Sequence, residues 1–236
     1  MDSTGGTLVR RRRPPVAIAL LVAAAVGAWM LAGPGGALSR SGPRLDGPLP
    51  ACGPAEILTP HRGGEDWRRT FLDPAFALAE TDVPSDLVSL GSAGIAGRGT
   101  VRRLVVEDLR AMDRAARADG VTLVVRSAYR SFDAQVATFG SLERAYGSDY
   151  ALASAARPGH SEHQLGTALD IDGGDLWLAD LGWRYGFVVS YQPEWSPRVT
   201  CYKAEPWHVR YIGRDAASAL HDSGLSLREW LWYRQG

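Results

Sequence analysis

Excess charge of either sign is missing from this sequence, and so are the common short signatures of catalysis. The 236 residues carry 26 basic and 26 acidic side chains, so electrostatics give no argument for a nucleic acid or an acidic polymer as partner. No HExxH pattern occurs, which excludes the helical two-histidine metal site. No GxSxG elbow occurs either, which argues against a serine nucleophile. No internal repeat is visible, and 45% hydrophobic content over this length is enough for one sizeable core plus appendages. Cysteine is limited to Cys52 and Cys201, and there are only five histidines.

Against that scarcity, the stretch 157–172, RPGHSEHQLGTALDID, concentrates metal-binding side chains. His163 and Asp170 are the candidate pair. A catalytic zinc takes imidazole nitrogen and carboxylate oxygen from three protein ligands and keeps one open position. Gly166 lies between them, where a side chain would obstruct a tight backbone turn. The third ligand must come from elsewhere. The other compact cluster is Glu205-Pro206-Trp207-His208. Pro206 pushes Glu205 into an extended conformation, so Glu205 reads as a loop carboxylate ahead of a strand bearing His208. A metal hydrolase needs one carboxylate off the metal to move a proton from the attacking water to the leaving amine, and Glu205 fits that role. His208 completes the ligand set for one zinc ion, with His160 as the runner-up ligand. Arg130 follows an apolar strand, and its planar guanidinium suits an oxyanion or a substrate carboxylate. Ser161 and His160, next to a ligand, suit substrate contacts or support of the ligands.

The chain opens with a basic tip (1–15) containing Arg10 to Arg13, followed by an uncharged apolar run at 16–33. That run is at the lower end of what spans a bilayer. Arginines before it and a single Arg40 soon after predict a single-pass anchor in the cell membrane, with the bulk of the chain extracytoplasmic. A secretory signal with a poor cleavage site at Gly35-Gly36-Ala37 is the rival reading. Residues 34–55, rich in Gly and Pro, read as a linker. Export favours a disulfide between Cys52 and Cys201, worth on the order of 4 kcal/mol for so long a loop.

From 56 to 99 no period is convincing, although Trp67, Phe71, Leu72 and Phe76 are candidates for the core. Helical spacing of Val101, Leu104, Val105, Leu109, Met112 and Ala116 predicts a helix from Thr100 to a stop at Gly120. A buried strand is expected at 121–125, then a helix capped by Ser131. Residues 147–162 read as a loop. Strands are expected at 167–171, 187–191 and 207–212, and helices at 176–185 (ended by Gly186), 216–220 and 227–232. Helices segregated from short strands argue an α+β fold, a small antiparallel sheet with flanking helices, over residues 56–236.

Three segments, Ser127-x-Tyr129-Arg130-Ser131, Ser161-x-His163-x-x-Gly166-x-Ala168-x-Asp170 and Glu205-x-Trp207-His208, together resemble the VanY-type zinc D-alanyl-D-alanine carboxypeptidases. The resemblance covers roughly residues 72–213. It implies the α+β zinc fold shared with the Hedgehog signalling domain, one zinc on His163, Asp170 and His208, Glu205 as base and Arg130 near the scissile carbonyl. It also implies substrate contacts from Ser161 and Gln135, and Tyr129, next to Arg130, is a further candidate for substrate binding. The implied partner is a peptidoglycan stem peptide, trimmed of its terminal D-alanine; the protein is separately expected to be a monomer. Close alternatives are an L,D-carboxypeptidase or an endopeptidase of the same family, and a more distant one is a zinc-stabilised binding domain without catalysis.

Overall fold

The structure, a computed structural model, describes residues 47–233. The basic tip, the apolar run at 16–33 and the linker up to residue 46 lie outside the described residues. Among the described residues no helix is long and apolar enough to cross a membrane.

Two short ladders come first. Strand β1 (Ile57–Leu58) pairs in parallel with β2 (Phe76–Ala77), and β3 (Leu87–Ser89) pairs antiparallel with β4 (Thr100–Arg102). The latter corrects the helix expected from Thr100. Val101 fits a strand and a helix period equally well, and its pairing with Val88 decides the matter. A 3-10 turn (Arg103–Val105) then leads into α1 (Val106–Ala118), whose Leu109, Met112 and Ala116 are buried. Strand β5 (Val124–Ser127) is followed by α2 (Phe132–Tyr146), where the Ser131 hydroxyl accepts from Ala134 N–H as the N-cap. The stretch read as a loop contains α3 (Ser148–Ser154) and a 3-10 turn (Glu162–Leu165).

The chain continues through β6 (Ala168–Asp172), α4 (Asp175–Leu181), a 3-10 turn to Tyr185, and β7 (Phe187–Val189). A single turn α5 (Pro197–Thr200) precedes β8 (His208–Tyr211), and helices α6 (Arg214–Ser223) and α7 (Leu227–Tyr233) follow. The main sheet is antiparallel throughout, in the order β5-β6-β8-β7. With helices packed around it, this is the α+β architecture.

Period-2 alternation in this sheet places the chemistry. Leu169 and Ile171 of β6 and Val209 and Tyr211 of β8 join Leu109, Met112 and Ala116 of α1 in the main apolar core. The alternate residues Asp170, His208 and Arg210 must therefore face the opposite side. Register completes the alignment, because Asp170 pairs with Ser127 on one neighbour and with His208 on the other. A second cluster gathers Phe71, Val188, Ile212, Leu220, Leu231 and Trp232, so the C-terminal helices and the segment around Phe71 pack on the opposite face from the main core, at the β7 edge of the sheet. Trp67 joins the main core and stacks on Tyr211 at 5.3 Å between ring centroids. Cys52 and Cys201 are joined by a disulfide with Cα atoms 5.2 Å apart.

Candidate metal centre and cleft

The donor atoms of His163, Asp170 and His208 all lie within 4.8 Å of one another. His163 reaches the cluster because Ser161 caps the 3-10 turn that carries it, its hydroxyl accepting from His163 N–H. Gly166 ends that turn in a left-handed conformation (φ 68°), and a Cβ there would sit 3.0 Å from Arg102 Cγ and 3.1 Å from Leu87 Cδ2. Only glycine meets both demands without displacing neighbours.

Each imidazole has one nitrogen at the cluster and the other engaged. His163 Nε2 is 3.3 Å from Asp170 Oδ2, while its Nδ1 is 2.7 Å from the Ala128 carbonyl. His208 Nδ1 is 3.0 Å from Asp170 Oδ1, while its Nε2 is 3.0 Å from Glu162 Oε2. The rings meet edge to face at 4.9 Å. Engaged outer nitrogens are what orient metal-binding histidines and set their tautomers. Two imidazoles and one carboxylate, with space beside them, fit a zinc ion with an open position.

In the metal-free protein, charge is partitioned within the cluster. Burial alone would raise Asp170, but hydrogen bonds from His163 and His208 hold its carboxyl far below the usual carboxylate range. Burial would lower His208, yet its bonds to Asp170 and Glu162 push it well above the ordinary histidine value. Burial wins at His163 and keeps it below that value. Burial also raises Glu205, with the Asp170 charge adding to it.

These residues open onto a cleft of about 190 Å³ lined by Arg130, Gln135, Ser161, Tyr191, Tyr202, Glu205, Trp207 and the cluster itself. Glu205 is absent from the donor cluster but present in the cleft. Its backbone N–H bonds to the Tyr191 carbonyl, and its own carbonyl accepts from His208 N–H, so the loop is pinned to the strand that carries the ligand. Arg130 donates to Gln135 Oε1 and Ser127 Oγ, both at 2.9 Å, and Nη2 lies 3.8 Å from Asp170 Oδ2. Gln135 is buried, and its amide donates to the Ala156 carbonyl.

Two sequence-derived residues lie elsewhere. His160 is buried away from the cleft, its Nδ1 2.8 Å from the Asp73 carbonyl and its Nε2 3.4 Å from Glu56, so it fastens the N-terminal segment and is not part of the donor cluster. Tyr129 does not line the cleft. In return, the structure adds Glu162, Tyr191, Tyr202 and Trp207. Glu162 was legible as the neighbour of His163; the tyrosines carry no pattern that marks them.

The fold thus builds a buried His–Asp–His donor cluster able to hold a metal ion, with a carboxylate off the donor set in the same cleft. Residues 98–214 match the VanY family model, described as D-alanyl-D-alanine carboxypeptidase. A D-alanyl-D-alanine carboxypeptidase of Enterococcus faecalis (strain ATCC 700802 / V583) is 39% identical over 137 residues, 50% of this chain and 50% of that protein. YodJ of Bacillus subtilis (strain 168) is 35% identical over 145 residues, 55% of this chain and 53% of that protein. The chain thus spans about half the length of the curated relatives it matches. Among solved structures, the LdcB LD-carboxypeptidase aligns with a TM-score of 0.63 at 29% identity, covering 69% of this chain and 86% of that one. VanYB in complex with D-alanine-D-alanine aligns at 0.62 and 28% identity, covering 70% and 97%. A D,D-pentapeptidase VanY in complex with Zn(II) aligns at 0.62 and 29% identity, covering 70% and 99%.

Proposed function

We propose that this protein is a zinc-dependent D-alanyl-D-alanine carboxypeptidase that removes the terminal D-alanine from peptidoglycan stem peptides. One observation carries the reading: Glu205, off the donor set, and Arg130 share a single cleft with His163, Asp170 and His208. A zinc ion held by those three would supply a Lewis acid and make water a nucleophile near neutral pH.

The remaining work falls to the chain. Glu205 takes the proton from the attacking water and returns it to the leaving amine; its burial raises its proton affinity toward that task. Arg130, fixed by Ser127 and Gln135, holds either the developing oxyanion or the terminal carboxylate. Ser161, already committed to the turn, and Gln135, committed to Arg130, support the site from the cleft wall.

An L,D-carboxypeptidase is the second reading, supported by the likeness to LdcB at a TM-score of 0.63. A family endopeptidase would use the same groups. A binding-only domain has no need of a free base beside its donors. We also propose that residues 16–33 anchor the protein in the cell membrane and that the domain acts outside it as a monomer with one zinc. The Cys52–Cys201 disulfide suits such an oxidising compartment. Incubation of the protein with tetrapeptide and pentapeptide stems, with products read by mass spectrometry, tests the assignment. Loss of one D-alanine from the pentapeptide alone is expected. Cleavage of the tetrapeptide alone would replace it with the L,D reading, and no cleavage of either would overturn both.

A further inference from the structure

Below the cluster, on the same face of the sheet, lies a buried polar chain that the proposed reaction does not use. Glu162 Oε2 receives His208 Nε2 at 3.0 Å and the Ser190 hydroxyl at 2.6 Å, while Glu162 Oε1 receives Arg210 Nη1 at 2.9 Å. Arg210 Nη2 in turn donates to the carbonyls of Trp67 at 3.0 Å and Thr70 at 2.7 Å. Glu162, Ser190 and His208 are each 4% exposed and Arg210 is 0%.

We infer that Glu162 is a positioning residue for His208, fixing the ring so that Nδ1 is the nitrogen offered to the metal, and that Arg210 ties this ligand to residues 67–70. This rests on the metal site proposed above. A histidine can bind through either nitrogen, and the one with a fixed acceptor is withheld. Arg210 Nη1 donates to Oε1 and the Ser190 hydroxyl to Oε2, an environment that holds Glu162 as the carboxylate; it accepts from Nε2–H and leaves Nδ1 as the nitrogen at the cluster. A buried carboxylate in that role needs a counter-charge and filled lone pairs, which Arg210 and Ser190 provide. The carbonyls of Trp67 and Thr70 lie ahead of the matched segment 98–214. That preceding segment is thereby part of the support of the metal site.

The test is zinc affinity of the full chain, measured by chelator competition, beside the cobalt(II) absorption spectrum and circular dichroism. In Glu162→Gln one amide oxygen faces three donors, so affinity should fall by roughly 10- to 100-fold and the cobalt spectrum should shift. Arg210→Lys keeps a charge but loses the fork, and should fall less. If Glu162→Gln does not fold, Ser190→Ala removes only one bond to the same oxygen and should weaken zinc at least about threefold. A folded Glu162→Gln, or a folded Ser190→Ala where the former fails, that binds zinc as the parent does would overturn the inference. A parent that binds zinc but leaves both stems intact overturns the substrate assignment alone; a parent that binds no zinc overturns both.

Discussion

The two walls of the cleft are built on different principles. One wall is sheet: Asp170 and His208 stand on adjacent antiparallel strands, in register and buried, over a core of fully enclosed aliphatic side chains. The other wall is the α2–α3 pair, which lends Gln135, Thr138, Leu142 and Ser154. In α2 only Gln135 is buried, and in α3 only Ala151. Val136, Tyr146, Tyr150 and Leu152 are exposed on these helices. Two of the three candidate metal donors, Asp170 and His208, sit on this rigid wall, and His163 joins them from the 3-10 turn just before β6. The helical wall has few buried side chains, which places it at the low end of local stability. Precision and adaptability are thus assigned to opposite sides of one cleft.

The strongest test of the rigid wall is to remove a donor. Alanine at His163, Asp170 or His208 should strip most of the zinc, measured by metal analysis after purification, and take activity to background. Proton bookkeeping sharpens this. In the metal-free protein His208 titrates well above the ordinary histidine range because Asp170 and Glu162 hold its charged form. A bound metal takes the neutral ring, so it must displace the proton that these two carboxylates favour. Zinc uptake at pH 7 should release a proton, seen as a buffer-dependent heat in calorimetry, and affinity should weaken as pH falls. Parental zinc content in all three variants would break the contrast between the walls at its foundation.

Next in size is Glu205→Gln. The residue lies in the cleft but outside the donor set, so zinc should stay while turnover of a D-alanine-terminated stem falls by roughly 10²–10⁴. Turnover at the parental rate would remove Glu205 from the chemistry whatever the metal content.

Much of the rigid wall was readable from residue types, because chemistry concentrates in a few positions: His163, Asp170 and His208 stand out in a chain with five histidines. What could not be read was pairing across strands. Nothing in the sequence says that Asp170 faces His208, although the alternation through Leu169, Ile171 and Val209 says that they avoid the core. Arg210, two residues beyond His208, shares its sheet face by the same alternation, so its place beside the cluster is legible in the sequence. Proximity along the chain misled at His160, whose ring turns toward Asp73 and Glu56. The helical wall was half legible: Ser131 announces α2, but α3 has seven residues and no apolar stripe, and nothing local separates it from a loop. The strands at 57–58, 76–77 and 87–89 are too short to show a period.

The disulfide belongs to the rigid side, because Cys201 precedes Tyr202 and Glu205, both in the cleft. It joins positions separated by 149 residues, so chain entropy puts its contribution at about 4–5 kcal/mol. Cys52→Ser with Cys201→Ser should lower stability to denaturant by about 2–5 kcal/mol, measured at fixed zinc. A change below 1 kcal/mol would mean that the buried contacts around Arg228, which bonds Asp73 and the Pro50 carbonyl, already hold this segment.

The smallest effect tests the join between the walls. Lys203, on the loop from the disulfide to Glu205, places Nζ 3.1 Å from Ser154 Oγ and 4.5 Å from the centre of the Tyr150 ring. Both partners are on α3, so this side chain crosses from the sheet side to the helical wall. The contact is exposed, and exposed contacts of this type are weak. Lys203→Ala should therefore change kcat/KM by less than about fivefold, mostly through KM, since no group that moves a proton is touched. Amide hydrogen exchange is the sharper measurement. It should speed up in α3 and leave β6 and β8 unchanged, because the strands draw their protection from the core and not from the helical wall. Equal acceleration in α3 and in the strands would mean that the walls open as one unit, and the division of labour between them would fail.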